Sequence, residues 1–158
     1  MEMLQKGCVA FEDAKMLFLN FSGREGKFNK PGDRNFCLAL SQDEGDALLA
    51  EGWNVKTLKA RTEDDDDLYY LPVAVSYKYK EPNVYFYSTR AKTRLTEDTI
   101  NLVDSADIIN SDIVISPYDW EVNGKSGRKA YLKTAFFTLE ETPFDAKYSS
   151  DPDGDAPF

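Results

Sequence analysis

The apolar and polar positions of this chain alternate in short runs rather than long helical stripes, and each run stops at a cluster of turn residues. Residues 15–21 form one such run and residues 35–40 a second. The Gly-rich, basic segment 22–32 lies between them, so the pair reads as two strands around a long loop. Ser41-Gln42-Asp43-Glu44 has the spacing of a capping box, in which the Ser41 hydroxyl and the Glu44 carboxylate each accept from the other's backbone N–H. Ala47, Leu48 and Leu49 carry that start into one short helix, which Gly52 ends. Residues 53–60 alternate only loosely, Val55 with Leu58, and are expected to form a strand. The clearest alternation covers 68–79 and 84–90, and Glu81-Pro82-Asn83 between them predicts a hairpin. Thr96 is expected to cap a second short helix over 96–105, with Glu97 and Asp98 in its first turn and Ile100 and Val103 on one face. Strands at 108–115 and 118–122 with a turn at Pro117 between them, and a strand at 129–139 after the Asn123-Gly124 turn, complete the pattern. About seven short strands, two short helices and long polar loops, with no internal repeat, predict a mainly β fold: a small closed or half-closed barrel rather than a doubly wound sheet.

Period-two counting then assigns faces. In the last strand Ala130, Leu132, Thr134 and Phe136 are expected on the inner side, and Lys129, Tyr131 and Lys133 on the outer. Val73 and Val75 mark the inner side of the predicted hairpin, which places Lys78 and Lys80 outward. Across its turn Val84 and Phe86 point in, so Tyr85 and Tyr87 point out. Tyr118 and Trp120 share a face before the Asn123-Gly124 turn. Single-stranded nucleic acid is bound by this combination: bases stack on aromatic rings while a basic groove tracks the backbone without reading sequence. The candidate contacts are Tyr77, Lys78, Lys80, Tyr85, Tyr87, Arg90, Lys92, Trp120, Lys125, Arg128, Lys129, Tyr131 and Lys133.

Charge at first opposes that reading, because the formal net charge is -9 and phosphate is met mostly by Lys and Arg. The distribution reverses the judgement. Five acids form the run Glu63-Asp64-Asp65-Asp66-Asp67 and three more are Asp151, Asp153 and Asp155, leaving 20 acidic against 19 basic groups elsewhere. Within that near-neutral body, residues 76–94 carry five basic groups against Glu81, and residues 120–139 carry four against Glu121. Both stretches are rich in aromatic residues.

Other chemistries find little support. The chain has no histidine, and Cys8 and Cys37 make neither a disulfide framework nor a metal motif. The acidic run lacks the ligand spacing and turn glycine of a calcium loop and reads as solvated. Gly124-Lys125-Ser126 ends like a phosphate-binding loop, but Asp119 stands where that motif requires glycine, and a β-turn surrounds it. A basic hairpin tip touching phosphate is the better reading. No nucleophile, base or ligand set clusters into a catalytic site, so no enzymatic activity, metal or cofactor is expected. At 158 residues with 42% hydrophobic content the chain is expected to fold as one soluble domain. No apolar run approaches the roughly 20 residues of a membrane span, and residues 1–10 lack a signal peptide's pattern, which predicts a cytoplasmic protein.

The last ten residues, ending Asp151-Pro152-Asp153-Gly154-Asp155-Ala156-Pro157-Phe158, cannot build a core. Aspartates at alternate positions with Pro and Gly between them predict an extended, solvated tail, and Phe158 offers one apolar anchor beside a carboxylate. Residues 1–147 are therefore assigned to the folded domain and 148–158 to an acidic, partner-binding tail. Residues 111–133, together with this tail, resemble phage single-stranded-DNA-binding proteins, whose acidic tails end on phenylalanine. The resemblance implies an elaborated OB-fold, no catalysis, and coating of single-stranded DNA in phage replication or recombination in the host cytoplasm. It also implies recruitment of replication proteins through Asp151, Asp153, Asp155 and Phe158. The alternative is a non-enzymatic interaction module that imitates DNA on a host surface. Such a mimic would spread acid over its folded body, whereas here the acid is confined to a loop and a tail.

Overall fold

Ten strands form a single, strongly interconnected sheet in the computed structural model, which describes residues 1–78, 80–89 and 91–140. In chain order they are β1 (Glu2–Met3), β2 (Val9–Phe11), β3 (Met16–Asn20), β4 (Arg34–Leu40), β5 (Lys56–Leu58), β6 (Leu68–Val75), β7 (Asn83–Tyr87), β8 (Lys92–Leu95), β9 (Ile108–Val122) and β10 (Lys125–Leu139). One helix, α1 (Gln42–Ala50), and two 3-10 segments, Gln5–Gly7 and Ile100–Ser105, complete the secondary structure of the described residues. The main path runs β1-β2-β9-β10-β6-β4-β3, with β5 added to β6, β7 to β10 and β8 to β7. The sheet curls around its core without closing its edges on each other, an open OB-like architecture; of the closed or half-closed mainly β barrel expected from the sequence, it is the half-closed form.

Alternation explains the core. Val9 and Phe11 of β2, Phe36, Leu38 and Leu40 of β4, Leu71, Val73 and Val75 of β6, and Ile113 and Ile115 of β9 are all buried, every second residue along each strand. The capping box forms as expected: Glu44 N donates to Ser41 Oγ at 3.2 Å, and Ser41 N to Glu44 Oε1 at 2.9 Å. Gly45 lets α1 lie close on the sheet, since a Cβ there would stand 2.9 Å from the Tyr69 ring.

Four expectations are corrected. Residues 68–79 and 84–90 do not form a hairpin. β6 and β7 instead lie end to end along one side of β10, both parallel to it, with Ala130–Tyr131 pairing Val73–Ala74 and residues 134–138 pairing residues 83–87. The Glu81-Pro82 step favours extended backbone before the proline, and the chain passes on in the same direction. Pro117 does not break a strand, because β9 runs unbroken from Ile108 to Val122. Beyond Ile115 only β10 flanks β9, so a residue without an N–H fits the ladder's free side. Residues 96–105 form a shorter 3-10 helix over Ile100–Ser105, preceded by a turn in which the Thr96 carbonyl accepts from Thr99 and Ile100. Residues 53–60 contribute only the three-residue β5.

Candidate nucleic-acid interface

A fifth correction shapes the site. Leu132 pairs with Ile115 and Thr134 with Val114, leaving Lys133 without a partner on β9. This β-bulge reverses the parity of β10: the inward residues are Ala130 and Leu132 before it, but Ala135 and Phe137 after it. Thr134 and Phe136 therefore leave the core side to which simple alternation assigns them. Phe136 stacks on Tyr85, with centroids 5.6 Å apart and planes 16° apart, and meets Tyr87 edge-on at 5.7 Å.

Residues directly opposite each other on paired strands share a face. From the hairpin arm inward, Trp120 lies opposite Gly127, and Tyr118 opposite Lys129. Tyr131 comes next, beside Ala74 of β6. Phe136 follows beyond the bulge opposite Tyr85, which in turn faces Arg94; Tyr87 faces Lys92. These side chains form one outward strip that spans about 35 Å along β10. Its rings differ in access: Tyr118 and Trp120 are exposed, whereas Tyr85 and Phe136 each have one face against the other. Tyr118 is 56% and Trp120 39% exposed, and Tyr118 meets the half-buried Tyr131 edge-on at 5.9 Å. Cations lie among them: Lys129 Nζ is 5.2 Å from the Tyr131 centroid, and Lys92 Nζ is 4.3 Å from Tyr85 and 5.5 Å from Tyr87. Lys133 is half-buried at the bulge, its Nζ 3.8 Å from Cys8 Sγ. Gly127 leaves room for the Trp120 indole to lie against it, since a Cβ there would come within 2.6 Å of the ring.

Of the residues singled out from sequence, Tyr85, Tyr87, Lys92, Trp120, Lys129 and Tyr131 are thus assembled on this strip, with Lys133 at its bulge. Lys125 is exposed at the tip of the β9–β10 hairpin, and Lys78 and Lys80 are exposed in the loop between β6 and β7. Two others stand apart. Arg128 shares the inward parity of Ala130. Its Nε donates to Asp119 Oδ1 at 2.7 Å and its Nη2 to Oδ2 at 3.3 Å, and its guanidinium sits 5.6 Å from the buried Trp53 ring. That hydrogen bond holds the Asp119 carboxyl below the usual carboxylate range. Tyr77 packs against the core with its hydroxyl buried and unbonded, and desolvation, followed by the nearby Glu81 charge, pushes it up to about 12. Arg90 and the tail residues Asp151, Asp153, Asp155 and Phe158 lie outside the described residues.

Phe136, Tyr118 and Arg94 complete the strip and were not among the sequence candidates. Phe136 was hidden by the bulge; the one available signal is the adjacent pair Phe136-Phe137, of which a strand can bury only one. The acidic run sits at the start of β6, where Asp67 accepts from Ala60 N at 2.9 Å and pairs with Lys59 at 3.5 Å. Leu68 stands six steps along β6 from Ala74, so these carboxylates lie about 20 Å from Tyr131.

The chain belongs to a family of phage single-stranded-DNA-binding domains: residues 3–158 match the family model described as "Putative phage ssDNA-binding domain". Among solved structures, it is similar to the single-stranded DNA-binding protein from bacteriophage Enc34 in complex with ssDNA. That match has a TM-score of 0.57 and 12% identity, and covers 90% of this chain and 92% of the other. A C-terminal truncation of the same phage protein matches with a TM-score of 0.54 and 12% identity, covering 90% and 91%. At such identity the likeness establishes the fold. No match was found among curated protein sequences. Among the described residues, no helix is long and apolar enough to cross a membrane.

Proposed function

We propose that this protein binds single-stranded DNA without reading its sequence, laying bases on the outward rings of β9, β10 and β7 while lysines and Arg94 meet the phosphates. The observation that carries this reading is the row of rings Trp120, Tyr118, Tyr131, Phe136, Tyr85 and Tyr87, crossed at the bulge by Lys133, with Lys129 and Lys92 against them. Each ring offers a π-face to any base, so the mode is sequence-tolerant. Lys125, Lys78 and Lys80 extend the positive field beyond the strip, and Arg128 serves as a latch for the hairpin arm. The activity is non-enzymatic. It belongs to phage replication or recombination in the host cytoplasm, with the tail residues Asp151, Asp153, Asp155 and Phe158 recruiting replication proteins.

Titration with oligo(dT), followed through quenching of Trp120, tests the reading directly. Affinity is expected to fall steeply with salt, and duplex of the same length is expected to bind far more weakly. Equal affinity for duplex and single strand would overturn it. For the tail, deleting Phe158 is expected to abolish pull-down of a replication partner while leaving oligo(dT) affinity unchanged.

A further inference from the structure

The loop joining β3 to β4 is built with a rigidity that its exposed position does not require. Gly26 N donates to Asn29 O at 2.9 Å and Asn29 N to Gly26 O at 3.2 Å, so Lys27 and Phe28 occupy the centre of a tight turn. Asn29 Nδ2 donates to the carbonyls of Arg24, Lys30 and Asp33 at 2.7, 3.1 and 3.0 Å, and Asn29 Oδ1 accepts from Asn35 Nδ2 at 2.7 Å. At the stem, Gly32 N donates to Gly23 O at 2.8 Å; Gly23 has φ 71°, and a Cβ there would stand 3.0 Å from the Gly32 backbone. Asp104 then ties the stem to the body, accepting from Phe21 N at 2.8 Å and Ser22 N at 2.9 Å.

What this scaffold displays is Phe28, 94% exposed, where turns ordinarily place Gly, Asn or Asp. A phenylalanine there gains no burial within the protein. Lys27 Nζ lies 5.5 Å from its ring, and Arg24, Lys27 and Lys30 outnumber Glu25 and Asp33 in the loop. From the loop the chain enters β4, whose Asn35 lies opposite Ala74, the residue beside Tyr131. The loop thus rises from a strand two places from the strip's centre, about 10 Å away.

We propose that Phe28 is an additional base-stacking contact for single-stranded DNA, flanked by Lys27 and Lys30 as phosphate contacts. The assignment rests on the reading of the strip as the DNA-binding face. An exposed ring on a hydrogen-bonded turn, beside three basic groups against two acidic ones, suits a polyanion with exposed bases better than an apolar protein pocket.

The test uses the full chain, oligo(dT), and the variants Phe28→Ala, Phe28→Trp and Tyr131→Ala. Phe28→Ala is expected to bind about 5- to 150-fold more weakly with an unchanged melting temperature, the range that one stacked base supplies. Phe28→Trp is expected to retain affinity and to add emission, relative to the wild-type chain, that oligo(dT) quenches. Wild-type affinity in Phe28→Ala, with Tyr131→Ala weakened, overturns the Phe28 assignment and leaves the strip standing. Wild-type affinity in both variants overturns the assignment and the strip together.

Discussion

Replacing Tyr131 with alanine isolates the stacking contribution, because the structure separates what this ring does for the fold from what it offers to a base. Its neighbours are Tyr118, edge-on at 5.9 Å, and Lys129, whose Nζ is 5.2 Å from the centroid. In the free protein the substitution removes that aromatic pair, worth about 0.5–1.5 kcal/mol, and leaves the buried core intact. In the complex it removes one base stack, worth about 1–3 kcal/mol, which is about 5- to 150-fold in Kd. The tyrosine meets no phosphate, so the slope of log affinity against log salt is expected to stay unchanged. Lys129→Gln has the opposite signature: a smaller loss at low salt and a slope shallower by about 0.7. Tyr131→Phe keeps the ring and is expected to bind like the wild type. The assay is Trp120 quenching by oligo(dT) at several salt concentrations, with melting curves as the control for folding. Wild-type affinity in a folded Tyr131→Ala protein would refute the reasoning, as would Tyr131→Phe losing as much as Tyr131→Ala.

Lys125→Ala, at the exposed hairpin tip, is expected to weaken binding slightly and make the salt slope shallower by about 0.7. Calorimetric ATP binding that vanishes in this variant would restore the nucleotide-site reading of Gly124-Lys125-Ser126. Gly127→Ala puts a Cβ within 2.6 Å of the exposed Trp120 indole, which has room to turn away, so a nearly unchanged melting temperature with shifted tryptophan emission and weaker binding is expected. Tyr77→Phe removes a buried hydroxyl without a partner and is expected to be neutral or stabilising at pH 7. Because the folded Tyr77 is pushed up to about 12, the wild type alone loses this group's stabilisation as pH rises from about 10 towards 12; alkaline unfolding followed by circular dichroism should show the variant's advantage widening there. Combining Glu63→Gln, Asp64→Asn and Asp66→Asn, which spares the Asp65 and Asp67 hydrogen bonds, is expected to tighten oligo(dT) binding at about 10 mM salt and leave it unchanged at about 150 mM, where screening acts over about 8 Å.

Much of this arrangement was legible in the chain. Ser41 to Glu44 specifies its capping box locally, and the alternation in residues 35–40 and 71–75 is long enough to fix which side is buried. Lys129 and Tyr131 could be placed outward from the inward Ala130 and Leu132, and Tyr85 and Tyr87 from the inward Val84 and Phe86, because in both places the alternation is undisturbed. What failed depended on which strands meet. Nothing local distinguishes a hairpin between residues 68–79 and 84–90 from two segments laid end to end against β10, since both bury the same valines. Pro117 signals a turn by its chemistry, and only the absence of a second neighbour beyond Ile115 makes it acceptable in a strand. Phe136 was lost for a similar reason: parity counting assumes an uninterrupted ladder.

The bulge and the partner switch of β10 occur at the same place. Up to Tyr131 the strand's parallel neighbour is β6; from Thr134 it is β7. Between the inward residues Leu132 and Ala135 stand two residues, Lys133 and Thr134, where a regular strand has one. The extra position absorbs the step from one neighbour to the next and adds local twist. It does so without moving Ala135 and Phe137 off the core, and so it keeps Phe136 outward against Tyr85. It also places a lysine between Tyr131 and Phe136, midway along the row of rings. For a chain of net charge -9 this placement matters more than the total. The acidic run lies about 20 Å down β6 from Tyr131, beyond two screening lengths at physiological salt from the centre of the row, whereas Lys129, Lys133 and Lys92 stand among the rings themselves. Local topology, set by one inserted residue where two strands meet end to end, thus places lysines among the outward rings of an acidic protein.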